Sequence, residues 1–178
     1  MTLTAPRTLG YYARSAWFQG AIYLLLAVLL GARLLVALNE AQERAEKLAV
    51  ELTLRNMRTG MQLAMGEALM HQREGDIASW VGSNPVRWLG APPDGYLGEC
   101  SATEVRALPV GRWCFDRERH ELVYRPRNAD HLRIFSQIDG RPAEHLRWRV
   151  ASAPDRKSRG GFVGLHVEIV TLHKWFLD

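Results

Sequence analysis

Residues 16–38 read AWFQGAIYLLLAVLLGARLLVAL, and the rest of the chain is organised around this stretch. At ~1.5 Å of rise per residue it reaches ~34 Å, enough for the ~30 Å hydrocarbon core of a bilayer. Only Gln19 and Arg33 interrupt the apolar run. Arg33 stands close to its end, so the aliphatic stem can carry the guanidinium out to the headgroups. The run is too long and too uniform for a buried core helix. It predicts a transmembrane helix over 16–38.

No proline lies between Leu38 and Arg73, and the pattern changes without a break. Leu38, Ala41, Ala45, Leu48 and Leu52 recur at steps of three and four, the spacing of one helical face. Glu40, Glu43, Arg44, Glu46, Lys47 and Glu51 fill the gaps, and Glu40–Arg44 and Glu43–Lys47 have the favourable i,i+4 order. The apolar stripe then shifts to Leu54, Met57, Met61, Ala64, Met65 and Ala68. Gly60 and Gly66 weaken this half and predict a bend. The expectation is an amphipathic helix over 39–75, capped near its end by Gly75. Its narrow stripe needs a surface, provided by the downstream domain or by a neighbouring copy.

The chain has 178 residues and a net charge of +4, which at first suggests nucleic acid. The distribution argues otherwise. Residues 1–38 carry Arg7, Arg14 and Arg33 and no acid, a net +3; 39–73 are neutral; 74–178 carry +1. The excess is a topology signal: a short polar tail, 1–15, stays cytoplasmic and the bulk is exported, to the periplasm if the cell is Gram-negative. The end of the span, LLVALNEAQ, lacks a small-x-small cleavage site, so it reads as an uncleaved anchor in the inner membrane. Cys100 and Cys114 are the two cysteines, and both fall in the exported part. An oxidising compartment predicts a disulfide between them, worth ~3 kcal/mol in the chain-entropy model.

Residues 76–178 read as a sheet domain. Asn84-Pro85 marks a turn, and 91–99 (APPDGYLGE) reads as an ordered loop. Trp113 to Asp116 and Glu121 to Arg125 form a predicted hairpin. Alternation over 131–138, 145–151 and 163–169 gives further strands, with 154–161 a flexible basic turn. About four to five antiparallel strands follow, with one apolar face. Laying the helix stripe on that face gives an α+β fold.

Catalytic and ligand motifs are absent from the sequence. The six histidines show no HExxH spacing, and there is no GxSxG, P-loop or GxGxxG. His166 and Glu168 share a strand face, which reads as solvated. Arg147-Trp148-Arg149 and Arg156-Lys157-Ser158-Arg159 read as a polar strand face and a solvated turn. The expectation is no enzyme, no metal or other cofactor, no nucleic acid and no small-molecule substrate.

A membrane helix continuing into an amphipathic helix packed on a small sheet with one disulfide resembles the type IV pilins and pseudopilins. Gly111-x-Trp113-x-Phe115-Asp116 followed by Leu122-x-Tyr124-Arg125 resembles the aromatic hairpin of minor pilin-like proteins. Asn84-Pro85-x-x-Trp88-Leu89, then Pro92-Pro93-x-Gly95-Tyr96-Leu97-Gly98-Glu99, resembles the segment before it. Together they are most similar to the biogenesis proteins of the mannose-sensitive haemagglutinin (MSHA) pilus, the MshF-like group. The front departs from the pattern. Gly10-Tyr11 imitates the prepilin cleavage site, but Ser15 stands where the family has Glu, and Arg14 interrupts the run.

The resemblance implies a non-enzymatic pilin-like subunit or assembly factor, with other pilin-like subunits as partners. Leu48, Leu52, Met57 and Met61 are the candidate helix-packing residues. The alternative is a single-pass periplasmic scaffold or regulator that dimerises through a coiled coil, because the steps from Leu38 to Leu52 also suit a and d positions.

Overall fold

The computed structural model describes residues 9–138, 141–152 and 164–176, and the backbone alone of 9–16, 137, 138, 141 and 142. The chain divides into two compact units, residues 1–42 and residues 43–178. One helix, α1 (Leu9–Met70), runs through 62 residues. In the first unit every side chain from Trp17 to Leu38 is exposed. This apolar segment is long enough to cross a membrane, and none of it is buried within the protein. Among the described residues this is the one helix fit for a single membrane crossing.

In the second unit α1 packs on a small mixed sheet. The helix ends at Met70, and Gln72 takes a left-handed φ of 56°. The Gln72 amide donates to Leu69 O at 3.1 Å and the Arg73 amide to Ala68 O at 2.8 Å, which satisfies the last carbonyls. The expected Gly75 cap is therefore replaced by Gln72. Gly75 lies inside the next short helix, α2 (Glu74–Ala78).

The sheet strands are β1 (Tyr96–Cys100), β2 (Arg112–Asp116), β3 (Glu121–Arg125), β7 (Leu146–Ser152) and β8 (Leu165–Ile169). Their spatial order is β1-β2-β3-β7-β8. Two ribbons flank the sheet: β4 (Leu132–Ile134) with β9 (His173–Trp175), and β5 (Gln137–Ile138) with β6 (Arg141–Pro142). The expected hairpin is present, with Trp113 opposite Tyr124 and Phe115 opposite Leu122.

Two expectations are corrected. The sheet is mixed, because β1 runs parallel to β2 and occupies residues read as loop. A parallel pair needs a crossover, and the short helix α3 (Ala102–Arg106) supplies it. Its start is a capping box: the Ser101 amide donates to Glu104 Oε2 at 2.7 Å, and Ser101 Oγ accepts from the Glu104 amide. The hydrogen bond from the Ser101 amide also holds the Glu104 carboxyl below its usual range. The strand expected over 131–138 is split: β4 pairs with β9, extended by the Phe135 amide to Leu172 O at 2.8 Å, whereas β5 pairs with β6. The basic turn 154–161 lies outside the described residues.

The helix-facing side of the sheet carries Trp113, Leu122, Tyr124, Leu146, Trp148, Val150, Leu165 and Val167. They form one core with Val50, Leu54, Met57, Met61 and Ala68 of α1. Trp113 centres this layer, 4.3 Å from the Tyr124 ring and 5.6 Å from Trp148. Such aromatic pairs add ~0.5–1.5 kcal/mol each beyond the area they bury. The opposite side is smaller: Val105 and Leu108 cover Cys100, Cys114 and Val123. The predicted Cys100–Cys114 disulfide is present, with Cα atoms 5.9 Å apart, and ties β1 to β2.

α1 continues as helix through Gly60. A Cβ there would collide with the Trp88 carbonyl. The glycine lets the segment ending in the 3-10 turn Pro85–Trp88 lie directly on the helix backbone.

Candidate functional site

Beyond Glu43, α1 has two apolar rows on opposite sides. Val50, Leu54, Met57, Met61 and Ala68 step by three, four or seven and are buried against the sheet. Leu48 and Leu52 stand ~200° away, two residues being ~200° of turn, and are 57% and 51% exposed. Ala45 precedes them on this face, and Leu63, three turns beyond Leu52, is also exposed. The four candidate helix-packing residues therefore separate. Met57 and Met61 are 0% and 1% exposed and belong to the protein's own core; Leu48 and Leu52 are free to meet another surface.

Two acids extend the buried row towards the start of the unit. Glu43 is fully buried; it accepts the His131 amide at 3.3 Å and is also paired with His131 Nδ1. Glu46 Oε1 accepts Tyr124 Oη–H at 2.6 Å and the Arg127 amide at 2.7 Å, and Oε2 accepts the Asn128 amide at 3.3 Å. These carboxylates fasten the segment after β3 to the helix. Burial and the neighbouring Glu46 carboxylate hold the Tyr124 hydroxyl well above its usual range, so it stays a donor. In the sequence both acids fall among the charges that fill the gaps between the apolar steps. Extending the row Leu54, Met57, Met61 backwards by successive helical periods leads through Val50 to Glu46 and Glu43, and that is the available signal.

The motif residues of the resemblance are internal framework. Asn84 caps the 3-10 turn through Oδ1, at 3.1 Å from the Val86 amide, and its Nδ2 donates to Tyr96 Oη at 2.7 Å. Burial raises the Tyr96 hydroxyl above its usual range, partly offset by that hydrogen bond. Pro85 is fully buried at the start of the turn. Gly98 has a φ of 92° in the irregular part of β1. Asp116 Oδ1 accepts the Glu118 and Arg119 amides, each at 3.1 Å, closing the hairpin turn. Gly10 and Tyr11 lie in α1, but their side chains fall outside the described residues.

The basic triplet has a structural use. Trp148 is fully buried under the helix. Arg147, on the other side of the sheet, donates through Nη1 to Asp116 Oδ2 at 3.2 Å and Glu121 Oε2 at 2.9 Å. Arg149 Nε pairs with Glu168 Oε2 at 3.0 Å. These charges are neutralised locally. His145 is buried beside them, with Nε2 unpartnered among the described residues. Burial, then the Arg147 and Arg125 cations, hold His145 below the usual imidazole range. Among the described residues, no group of three or more His, Cys, Asp or Glu is placed to hold a metal ion.

Compared with protein-family models, curated proteins and solved structures, the chain finds no match.

Proposed function

We propose that the chain is a non-enzymatic, pilin-like subunit or assembly factor of a type IV pilus of the MSHA type, or of a related secretion machine. Its amino terminus is cytoplasmic, residues 16–38 cross the inner membrane, and the sheet unit is periplasmic. The observation that supports this reading most is the two-sided helix. One apolar row is consumed by the protein's own sheet, and the other, through Leu48 and Leu52, is left exposed. A helix that had only to support its own domain would need one row. A helix that also packs among neighbouring helices needs both. The sequence likeness to minor pilins and the disulfide-tied sheet point the same way.

The test is Leu48→Arg and Leu52→Arg in cells, read by immunoblot of sheared filaments and of washed inner membrane, with the intact mass of the protein. The reading expects normal protein levels, loss of filament assembly, and wild-type protein in one of the two fractions. Normal piliation in both variants overturns it. A mass lacking residues 1–10 would show that Gly10-Tyr11 is cut.

The same exposed row suits a second reading, a periplasmic scaffold dimerising as a coiled coil, since Ala45, Leu48 and Leu52 step as a, d and a. Disulfide cross-linking of Leu48→Cys to its own copy in cells without other pilus proteins favours the dimer. Cross-linking only to other subunits favours the pilus.

A further inference from the structure

The β4–β9 ribbon presents an outer face of a particular composition. Arg133 is paired with Lys174 in the register, and both are exposed. On one side of this cationic pair Phe135 and Leu172, joined by a backbone hydrogen bond, are each 64% exposed. On the other side Phe176 is 47% exposed, and its amide donates to His131 O. Lys174 Nζ lies 5.0 Å from the Phe176 ring centroid. Arg133 and Lys174 form no ion pair among the described residues, and residues 131–138 and 170–176 contain no acid. The opposite face, Leu132 and Ile134 with Trp175, joins the core. The outward face thus interleaves two cations with exposed Phe and Leu, the mixture suited to the boundary between headgroups and acyl chains.

The ribbon is also tethered at one end. Its His131 is bonded to Glu43 through the amide and the ring. Glu43 follows Leu38 by five residues in the sequence, and five peptide units reach at most ~18 Å however they run.

We propose that the outer face of the β4–β9 ribbon seats on the anionic headgroup surface of the bilayer that residues 16–38 cross. Arg133 and Lys174 meet lipid phosphates, and Phe135, Leu172 and Phe176 enter the interface. This rests on the single-crossing reading of α1 and is independent of any role in a pilus. Each cation near an anionic leaflet is worth about a fivefold change in partitioning at low salt.

The experiment places a fluorophore on Leu172→Cys, or on Val81→Cys beyond the end of α1, in the full-length oxidised protein. Nanodiscs contain headgroup-nitroxide lipid as quencher and either neutral lipid or roughly one third phosphatidylglycerol, the anionic component that attracts basic residues. The expected result is several-fold stronger quenching at position 172 than at position 81 in anionic discs. It should fall towards the position 81 level in neutral discs, at high salt, and with Arg133→Glu and Lys174→Glu combined. Equal quenching at both positions, or quenching indifferent to charge reversal, overturns the proposal; weak quenching at both would leave the ribbon for an acidic protein. Alkaline carbonate extraction from vesicles separates the two layers of the argument. Protein that resists extraction but shows no selective quenching sinks the ribbon proposal alone, whereas protein stripped from vesicles sinks the membrane crossing as well.

Discussion

The two sides of α1 in the sheet unit are written in nearly the same letters and meet opposite ends. Val50, Leu54, Met57 and Met61 lie under Trp113, Tyr124 and Trp148, while Ala45, Leu48, Leu52 and Leu63 lie open. Hydrophobicity alone does not choose between them. The choice comes from what flanks each row. The buried side carries Gly60, which admits a backbone carbonyl, and Glu43 and Glu46, which bind backbone amides 80 or so residues away. The exposed side has Arg55 and Thr59 interrupting its leucines. A helix face is assigned to its own core by the polar and steric fittings beside the apolar residues.

The sharpest way to break this contrast is to place a charge on each side. Met57→Arg should cost more than about 3 kcal/mol, because an unpaired cation replaces a fully buried side chain. Leu48→Arg should stay within about 0.5 kcal/mol of wild type. Urea unfolding of both variants decides, and equal losses would mean that the exposed row also has a partner within the chain.

The acids come next. Glu46→Leu removes the acceptor of three donors and should cost about 1.5–3 kcal/mol, the scale of hydrogen bonds to a charged group. Glu51, exposed on the helix, should tolerate the same change. Hydrogen exchange at the Arg127 and Asn128 amides should rise in Glu46→Leu alone.

The two glycines give a smaller effect with opposite signs. By propensity, alanine should stabilise either site by about 1 kcal/mol. A Cβ at Gly66 enters open space, so Gly66→Ala should show that gain. At Gly60 it meets the Trp88 carbonyl, so Gly60→Ala should lose about 1–3 kcal/mol by overpacking. Thermal midpoints that move the same way in both would remove Gly60 from the fittings that mark the buried side.

The smallest expected effect lies off the helix. His145 titrates below the ordinary imidazole value when folded, so the unfolded chain binds more protons as pH falls. Stability from this group is complete above pH ~6.5, the unfolded value, and is lost below it. Urea midpoints at pH 7.5 and 5.5 should differ, with the acid value lower, and His145→Gln should narrow the gap. An unchanged gap would assign the pH dependence to other groups.

Much of this was legible in sequence because it rests on local periodicity. The apolar run, the W-x-F-D…L-x-Y hairpin and the pair of cysteines each carry their signal within a few residues. What was missed depends on distant partners. Tyr96 to Glu99 reads as loop because Pro92, Pro93 and Gly95 dominate the segment, yet the capping box Ser101–Glu104 two residues later marks the start of the crossover helix. Glu43 reads as one of the charges between the apolar steps, paired with Lys47; its burial is set by His131, 88 residues away. Which of the two rows, that of Leu48 or that of Met57, meets the sheet depends on Trp113, Tyr124 and Trp148, which lie far along the chain.

Those long separations have a consequence for biosynthesis. Glu46 and its partner Tyr124 are 78 residues apart, and the helix is made first. At about 5–20 residues per second, roughly 4–16 s pass before the ribosome has added the hairpin that covers Met57 and Met61. During that interval both sides of the nascent helix are uncovered, and the difference between its inner and outer rows does not yet exist. A chaperone that shields either row for those seconds protects the protein at its most vulnerable stage.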